Sequence, residues 1–190
     1  MKLLAGIIES NEGEIKQIDA NIKYPQWAKS NIAYIPAGDR TLYYKISVKE
    51  NILYYAALKG ENINEVLNKL IYYANKLVME DLITRKVETL STGQKKKAQL
   101  LCVLCTSKKL LLLDEPSSGL DIDSVYELQR LLTELKEERK IIVSSHDFNL
   151  ISNVTDEYYF IKAGTIAKHH LGTLNQDDFS AIYNEVKGML

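Results

Sequence analysis

Two short apolar segments, each followed by polar residues, restrict most strongly the folds that this chain can adopt. The segment Lys109 to Leu113 contains four consecutive leucines and precedes Asp114-Glu115-Pro116. The segment Ile141 to Ser145 precedes His146. Continuous apolar runs of this length are typical of strands that are buried on both faces of a parallel sheet. Because parallel strands need crossover connections, the two segments predict an α/β domain.

The remaining sequence predicts what surrounds these strands. Asn31 to Ile35 has the pattern of another short strand, and helical spacing extends from Val48 to about Thr106 around a loop at Thr89 to Gly93. This order predicts one domain of residues 1–190, in which residues 40–106 form a helical block and residues 107–190 return to the sheet. The other predicted elements are the end of a helix at Lys2 to Ile8, a turn at Asn11 to Glu14, helices at Glu61 to Leu82 and Val125 to Arg139, and a hairpin joining Tyr158–Ile161 to Thr165–Ala167.

Composition narrows the classes of function. The chain has 24 basic and 25 acidic residues and a net charge of -1. No global positive field would attract nucleic acid or anionic lipid, so no nucleic-acid partner is expected. The longest apolar runs fall short of the roughly 20 residues that a membrane-spanning helix needs. The protein is therefore expected to be soluble, and any role at a membrane would depend on a partner.

Cys102 and Cys105, the two cysteines of the chain, have C-x-x-C spacing. This spacing raises the alternatives of a redox pair or a metal site. Both lie in an apolar helical run, however, and no second thiol pair or histidine is close in sequence to complete a zinc site. Burial as two small apolar residues on a helix is the expected outcome.

Polar groups follow both apolar strands, at the edge where α/β proteins place ligands. An acidic pair such as Asp114-Glu115 can hold Mg²⁺ and position a water molecule. His146 follows the neighbouring strand and can contact a terminal phosphate. Each feature also has an ordinary interpretation, because acidic pairs often cap helices and a single histidine is often structural.

The segment Leu90 to Gln94 has the residue types of a helix start that can bind an anion. Ser91 and Thr92 are good N-cap residues, Gly93 permits close approach of the backbone, and the amides of a helix N-terminus favour negative charge. Lys95-Lys96-Lys97 follow, and at least two of these lysines are expected on a solvated helix face.

Taken in order, these segments resemble the ABC ATPase family. Leu90 to Gln94 resembles its signature motif, Leu110 to Asp114 resembles Walker B, and Ser118 to Asp121 resembles the D-loop. Agreement of several ordered motifs is far more specific than any one motif. The resemblance covers the whole chain. It implies a P-loop NTPase-like parallel sheet with an inserted helical subdomain.

The resemblance also implies a chemistry, in which two such domains enclose two ATP molecules at their interface. Glu115 would polarise the attacking water, His146 would contact the γ-phosphate, and Asp114 would hold Mg²⁺ through water. The signature motif would contact ATP held mainly by the opposite subunit. The implied site residues are Glu115, His146, Asp114, Leu90, Ser91, Thr92, Gly93, Gln94, Ser118, Gly119, Leu120 and Asp121.

Two departures from the family pattern are visible. No G-x-x-x-x-G-K-[ST] phosphate-binding loop occurs in these 190 residues. The sequence therefore predicts an N-terminally truncated domain that lacks the early strands, including one expected beside the Walker B strand. Such a chain is expected to bind ATP weakly and to be marginally stable alone. The family's glutamine after the strand at Ile32 to Ile35 is also absent; we assign no cofactor role to Ala37, and Asp39 is an uncertain substitute.

Three hypotheses for the function follow. The first is a subunit that binds and hydrolyses ATP to energise a membrane ABC transporter. The second is a non-catalytic subunit that donates its signature motif to the ATP site of a full-length partner. The third, a nucleic-acid-linked ABC protein, lacks the expected coiled coils, zinc modules or tandem domains.

The first two hypotheses imply the same partners. These are a second ATPase domain, as a homodimer or heterodimer, and an integral-membrane subunit, through which this cytoplasmic protein would be held at the inner face of the membrane. Residues 39–82 would receive the membrane subunit, and a tyrosine set could line that groove or pack in the core. The members of this set are Tyr43, Tyr44, Tyr54 and Tyr55. His169 and His170 are expected to be exposed and without a role.

Overall fold

The computed structural model describes residues 1–16, 22–38, 41–152 and 154–189. A three-stranded parallel sheet is formed by β1 (Ile32–Ile35), β2 (Leu110–Asp114) and β3 (Lys140–Ser144), in the order β1-β2-β3. Strands β4 (Glu157–Lys162) and β5 (Thr165–Leu171) form an antiparallel hairpin. The predicted α/β class and the predicted hairpin are confirmed.

Helices connect and cover the sheet, and most begin at a residue whose side chain caps the first turn. Ser47 and Ser91 each form a capping box with the residue three positions later. Asp121 caps the helix that follows β2, which therefore begins earlier than the apolar spacing predicted. The helices are α1 (Tyr24–Asn31), α2 (Val48–Leu58), α3 (Ile63–Lys76), α4 (Thr92–Leu104), α5 (Ile122–Leu135), α6 (Phe148–Ile151) and α7 (Gln176–Gly188), with short 3-10 turns at Glu80–Leu82 and Val87–Thr89.

Two apolar clusters cover the two faces of the sheet unequally. The larger one contacts Leu111 and Leu113 of β2 and continues through α2, α3, α4 and α5. The smaller one consists of Ala28, Ile32 and Leu112, with Leu4, Trp27 and Tyr34 among the partly buried residues packed against it. Because successive side chains of a strand point to opposite faces, β2 is buried on both sides. This burial confirms the prediction for that strand.

The prediction for β3 is wrong. Its side chains are half-buried or exposed, and Ile142 is 42% exposed. Within the described residues β3 is an edge strand, paired only with β2. The smaller cluster covers β1 and β2 and does not extend over Ile142. An apolar run shows that a strand can be buried, but strand order and coverage decide whether it is.

Strand order also corrects the place expected for a further strand. That strand was predicted beside the Walker B segment, which forms β2. Strand β2 is already paired with β1 on one side and with β3 on the other. No position beside it is open, because a strand has two hydrogen-bonding edges. The open edges of the described sheet belong to β1 and β3.

The N-terminal segment and the lysine run also differ from prediction. Residues 2–8 form hydrogen-bonded turns rather than the end of a regular helix, with the Ala5 amide donating to the Met1 carbonyl at 2.9 Å. Of the three lysines at the start of α4, Lys96 and Lys97 are buried. Lys97 donates to the Leu77 carbonyl at 3.0 Å and pairs with Glu127 at 2.7 Å. A run of charges cannot show which members turn inward, because that depends on the helix neighbours.

Both cysteines are buried on α4 or at its C-terminal end, as predicted. Burial raises the pKa of the Cys105 thiol to about 12, and it raises the pKa of Cys102 as well. Among the described residues no group of three or more His, Cys, Asp or Glu side chains is arranged to hold a metal ion. No helix in the described part of the chain is long and apolar enough to cross a membrane.

Candidate functional site

The carboxyl edge of the parallel sheet brings together the acidic pair and the histidine that the sequence singled out. Asp114 is the last residue of β2 and lies opposite Ser144 of β3. Glu115 follows β2 directly, and its amide donates to the Ser144 carbonyl at 2.9 Å. His146 follows β3 by two residues. The parallel register therefore converts two separate sequence segments into one cluster.

Glu115 and His146 are in direct contact. The Nδ1 atom of His146 lies 2.9 Å from Oε1 of Glu115. The hydrogen bond and the charge of Glu115 raise the pKa of His146 above its usual value. The histidine side chain is 81% exposed, whereas that of Glu115 is 28% exposed. The pair therefore presents an exposed imidazole to solvent beside a more deeply buried carboxylate.

The backbone of Glu115 adopts an unusual conformation, with φ of 48°. Non-glycine residues in this left-handed region are uncommon and are enriched at functional sites. The second carboxylate oxygen, Oε2, is buried and has no hydrogen-bond partner among the described residues. A buried carboxylate oxygen without a donor is costly unless a ligand or water satisfies it. This oxygen is thus available to a group that is not part of the protein.

Asp114 is held by hydroxyl groups from both neighbouring strands. Tyr34 of β1 donates its phenol proton to Oδ2 at 3.2 Å, and Ser144 of β3 donates to Oδ1. Burial and the charge of Asp114 raise the pKa of the Tyr34 phenol, so that it remains a donor at neutral pH. Sequence reasoning missed Tyr34 and Ser144. The sequence feature that could have indicated them is a hydroxyl-bearing residue near the carboxyl end of each strand that flanks β2.

The segment Leu90 to Gln94 forms the predicted helix start. Ser91 caps α4: its Oγ accepts from the Gln94 amide at 3.3 Å, and the Gln94 side chain accepts from the Ser91 amide at 2.9 Å. The segment borders a cavity of about 580 Å³. Three acidic residues in or next to the first half of α5, Asp121, Asp123 and Glu127, also line this cavity.

Two glycines bring this helix start against the loop that follows Glu115. A Cβ on Gly93 would lie 3.1 Å from the carbonyl oxygen of Gly119. A Cβ on Gly119, whose φ is +82°, would lie 3.1 Å from Cγ2 of Thr92. Leu120 also lies near Gly93, and its amide donates to the Ser117 carbonyl at 3.0 Å. The two predicted motifs therefore pack on each other within one chain.

The remaining members of the predicted site are placed as follows. Ser118 donates its amide to the Glu115 carbonyl at 3.2 Å, which links the loop to the acidic pair. Asp121 accepts from the Ser124 amide at 2.9 Å, and its hydrogen bonds with Ser124 lower its pKa. Leu90 is buried in the larger apolar cluster. Asp39 lies outside the described residues.

The tyrosines of residues 43–55 form a partly exposed group. Tyr43 and Tyr54 pack edge to face with ring centroids 4.9 Å apart. Lys95 lies over the ring of Tyr44, 4.9 Å from its centroid. Tyr55 is half-buried, and burial raises its pKa to about 12. Tyr54 is exposed, because neighbouring residues on a helix face different directions. Of the two late histidines, His169 is exposed and His170 is half-buried.

Comparison with known proteins identifies the family. A family profile described as "ABC transporter" matches residues 1–118, more than half of the chain. The chain belongs to the ABC transporter family. This match confirms the resemblance to the ABC ATPase family that the ordered motifs indicated.

Named ABC transporter proteins show how far the similarity extends. The ABC transporter ATP-binding protein NatA of Bacillus subtilis is 28% identical over 169 residues, covering 87% of this chain and 68% of the relative. The chain spans 58%, 61% and 54% of the lengths of three further curated relatives. The chain therefore spans about two thirds or less of the length of these ABC transporter ATP-binding proteins.

Solved ABC structures share the fold. CbiO1 from Clostridium perfringens, described as part of the ABC transporter complex CbiONQ, superposes with a TM-score of 0.75 at 24% identity, covering 98% of this chain and 75% of that one. The ATP-binding cassette MJ0796, in a dimeric post-hydrolysis state with ADP and Pi, gives a TM-score of 0.77 at 19% identity, covering 90% and 78%. These similarities confirm the predicted α/β architecture.

Proposed function

We propose that the protein is an ATP-binding and ATP-hydrolysing subunit that energises a membrane ABC transporter. One observation carries the proposal: Asp114, Glu115 and His146 meet at the carboxyl edge of the parallel sheet, with Glu115 and His146 2.9 Å apart. Family membership supports it. The names of the relatives, ATP-binding proteins of ABC transporters, support it further.

Within this proposal, Glu115 orients the attacking water. Its carboxylate contacts His146 through Oε1, and its Oε2 has no donor among the residues that the structure describes. A carboxylate held in this way can accept a proton from water as the nucleophile attacks. His146 is exposed and its pKa is raised, so it carries positive charge more readily beside a phosphate. Together the two residues supply positioning and charge stabilisation.

The residues at the end of β2 fit a hydrated magnesium ion. Each oxygen of Asp114 accepts one hydroxyl donor and keeps a further lone pair. Oε2 of Glu115 has no partner among the described residues. Oxygen donors from one or two carboxylates are typical of Mg²⁺ sites, which retain several waters. When bound, the ion would supply the charge that offsets the phosphate oxygens of ATP.

The signature segment is proposed to act on ATP held mainly by a second ATPase domain. Ser91 and Gly93 would direct the amides of the α4 N-terminus at the γ-phosphate, and the α4 helix dipole favours this anion. The loop from Ser118 to Asp121 would lie at the same interface. The exposed tyrosine group would receive the membrane subunit. In this assignment residues 40–106 form the helical subdomain, residues 107–190 complete the catalytic core, and the protein lies at the cytoplasmic face of the membrane.

A second candidate function is donation of the signature segment without catalysis by this chain. It is favoured by the signature segment, which forms a capped helix start at the border of a cavity. A full-length partner would then hold the ATP, and Glu115 would be dispensable. The catalytic function needs Glu115 of this chain, whereas the donor function needs its signature segment and not Glu115.

Two variants separate these functions in the assembled transporter. ATP hydrolysis is measured for the wild type, Glu115→Gln, Ser91→Arg and the control Glu137→Gln, an exposed carboxylate after α5. A catalytic subunit loses at least ~100-fold in kcat with Glu115→Gln, the contribution typical of a general base. A pure signature donor is impaired by Ser91→Arg alone. Activity that neither variant lowers would contradict both functions.

A further inference from the structure

We propose that Tyr34 is a positioning residue for the Asp114 carboxylate, fixing its orientation toward a divalent cation. The inference rests on the proposed function, in which Asp114 holds magnesium through water. It adds a residue outside the signature, Walker B and D-loop segments, and distinct from Glu115 and His146. Three observations support it: the strand register, the hydroxyl contacts and the packing of the Tyr34 ring.

The register places Tyr34 and Asp114 on the same face of the sheet. Tyr34 lies opposite Leu112, and Asp114 lies two residues beyond Leu112. Side chains two residues apart on a strand share a face, so the long tyrosine side chain can reach diagonally to Asp114. Ser144 lies directly opposite Asp114 on the other neighbouring strand. The carboxylate is thus approached from both sides.

The two hydroxyl contacts together determine the plane of the carboxylate. Tyr34 donates to Oδ2 at 3.2 Å and Ser144 donates to Oδ1. One donor alone would leave the carboxylate free to rotate about its terminal torsion, which is broad in aspartate. Two donors on different oxygens remove that freedom. Each oxygen keeps a lone pair that can accept from a metal-bound water.

The ring of Tyr34 is anchored independently of this contact. It packs against the smaller apolar cluster, which contains Ala28, Ile32 and Leu112. A ring held by packing presents its hydroxyl at a fixed point, so ordering the contact costs little additional side-chain entropy. Outer-shell partners of this kind orient the groups around a metal, and their loss typically weakens metal binding.

Tyr24 offers a matched control. It packs against the same apolar cluster as Tyr34, but its hydroxyl donates to the Leu4 carbonyl at 2.7 Å. Tyr24→Phe and Tyr34→Phe therefore each remove a phenol oxygen from a tyrosine whose ring packs against the smaller apolar cluster. Only the second removes a donor from Asp114. Any effect of general loosening appears in both variants, whereas an effect on the cation site appears in one.

The experiment uses Mn²⁺ alone as the probe. Paramagnetic broadening of the Glu115 and Ser145 amide signals is followed by NMR as Mn²⁺ is added to the full chain. Tyr34→Phe is expected to raise the apparent Mn²⁺ dissociation constant at this site roughly tenfold, the lower end of outer-shell effects. Ser144→Ala is expected to have a similar effect. Tyr24→Phe should leave the constant unchanged, even if its melting temperature falls.

Two results would overturn the inference in different ways. In the first, Asp114→Asn abolishes the broadening but Tyr34→Phe leaves the apparent Mn²⁺ dissociation constant unchanged. This result would support the cation site and show that Tyr34 does not position Asp114 for it. Broadening that is absent in the wild type, or unchanged in Asp114→Asn, would remove the proposed cation role of Asp114, and the role of Tyr34 would fall with it. Amide spectra of each variant establish that the fold is retained.

Discussion

The Nδ1 atom of His146 lies 2.9 Å from Oε1 of Glu115, and this contact joins the ends of two neighbouring parallel strands. In the sequence, each of these residues alone also has an ordinary interpretation, as part of a helix cap or as a structural histidine. Their contact makes the protonation of one depend on the charge of the other. The consequence is testable without any nucleotide.

The pKa of His146 is expected to exceed the unfolded value of roughly 6.5 and to fall in Glu115→Gln, because the carboxylate is the main cause of the shift. Histidine proton shifts followed by NMR against pH measure both values. Since the folded pKa is the higher one, the contact stabilises the fold fully below the unfolded pKa. That contribution is lost as the pH rises through the folded pKa.

The control for this titration is Glu137→Gln. Glu137 lies between α5 and β3, near the amino end of β3, whereas His146 follows the carboxyl end. Removing this distant carboxylate should leave the His146 titration unchanged. Equal titration curves for the wild type and Glu115→Gln would refute the contact as the cause of the shift.

Gly119→Ala is expected to destabilise the protein more than Gly38→Ala. Both glycines have φ of +82°, so the cost of a left-handed backbone, about 1–2 kcal/mol, is shared. Only the Gly119 variant would also place a Cβ 3.1 Å from Thr92 Cγ2, whereas a Cβ on Gly38 would have no contact within 4 Å among the described residues beyond its chain neighbours. Urea unfolding of both variants measures the difference.

A third variant isolates the close contact itself. Thr92→Ser removes Cγ2 but keeps the hydroxyl. In the Thr92→Ser background, Gly119→Ala should therefore destabilise the protein no more than Gly38→Ala does. An excess that persists in this background would refute the Thr92 contact as its cause and would point to the close approach of the Gly119 carbonyl to Gly93.

Leu112→Ala and Ile142→Ala should have unequal effects, although the sequence suggests equally buried strands. Leu112 is fully buried, so its truncation should lower the free energy of unfolding by about 2–5 kcal/mol. Ile142 is 42% exposed, and its truncation should cost roughly 1 kcal/mol. Chemical denaturation of both variants provides the comparison. Equal losses would indicate that β3 is covered on both faces in solution.

Cys102 and Cys105 are expected to react slowly with Ellman's reagent in the folded protein and rapidly after unfolding. Both thiols are buried, and the pKa of Cys105 is raised to about 12, so the reactive thiolate is scarce at neutral pH. Ser10→Cys, at an exposed position, supplies a thiol that should react at once. Fast reaction of the native pair, or stoichiometric zinc binding, would restore the redox or metal interpretation of the C-x-x-C spacing.

Much of the local structure could be predicted from the sequence. The apolar run before Asp114 predicted a buried strand, and Leu111 to Leu113 are fully buried. Ser91 and Thr92 predicted the start of α4, and Ser91 caps it, because capping is a local interaction between neighbouring residues. The boundaries of α5 were less accurate, since Asp121 caps that helix ahead of its apolar stripe.

Other features depend on which elements lie side by side. Lys96 and Lys97 turn inward because of their neighbours, and Ile142 is exposed because β3 is an edge of the described sheet. No pattern along the chain records these relations, since periodicity describes one element at a time.

By itself, the sequence determined the family, the α/β class and the residues at the ends of β2 and β3. These follow from local patterns and from motifs of fixed order. Only the tertiary structure decided that Tyr34 and Ser144 hold Asp114, that His146 contacts Glu115, and that Gly119 packs on the start of α4. For the contacts of Asp114 and Glu115 the physical reason is register, because parallel pairing brings together residues that are 30 to 80 positions apart along the chain. For Gly119 the reason is close packing of a loop against a helix start, which no pattern along the chain records.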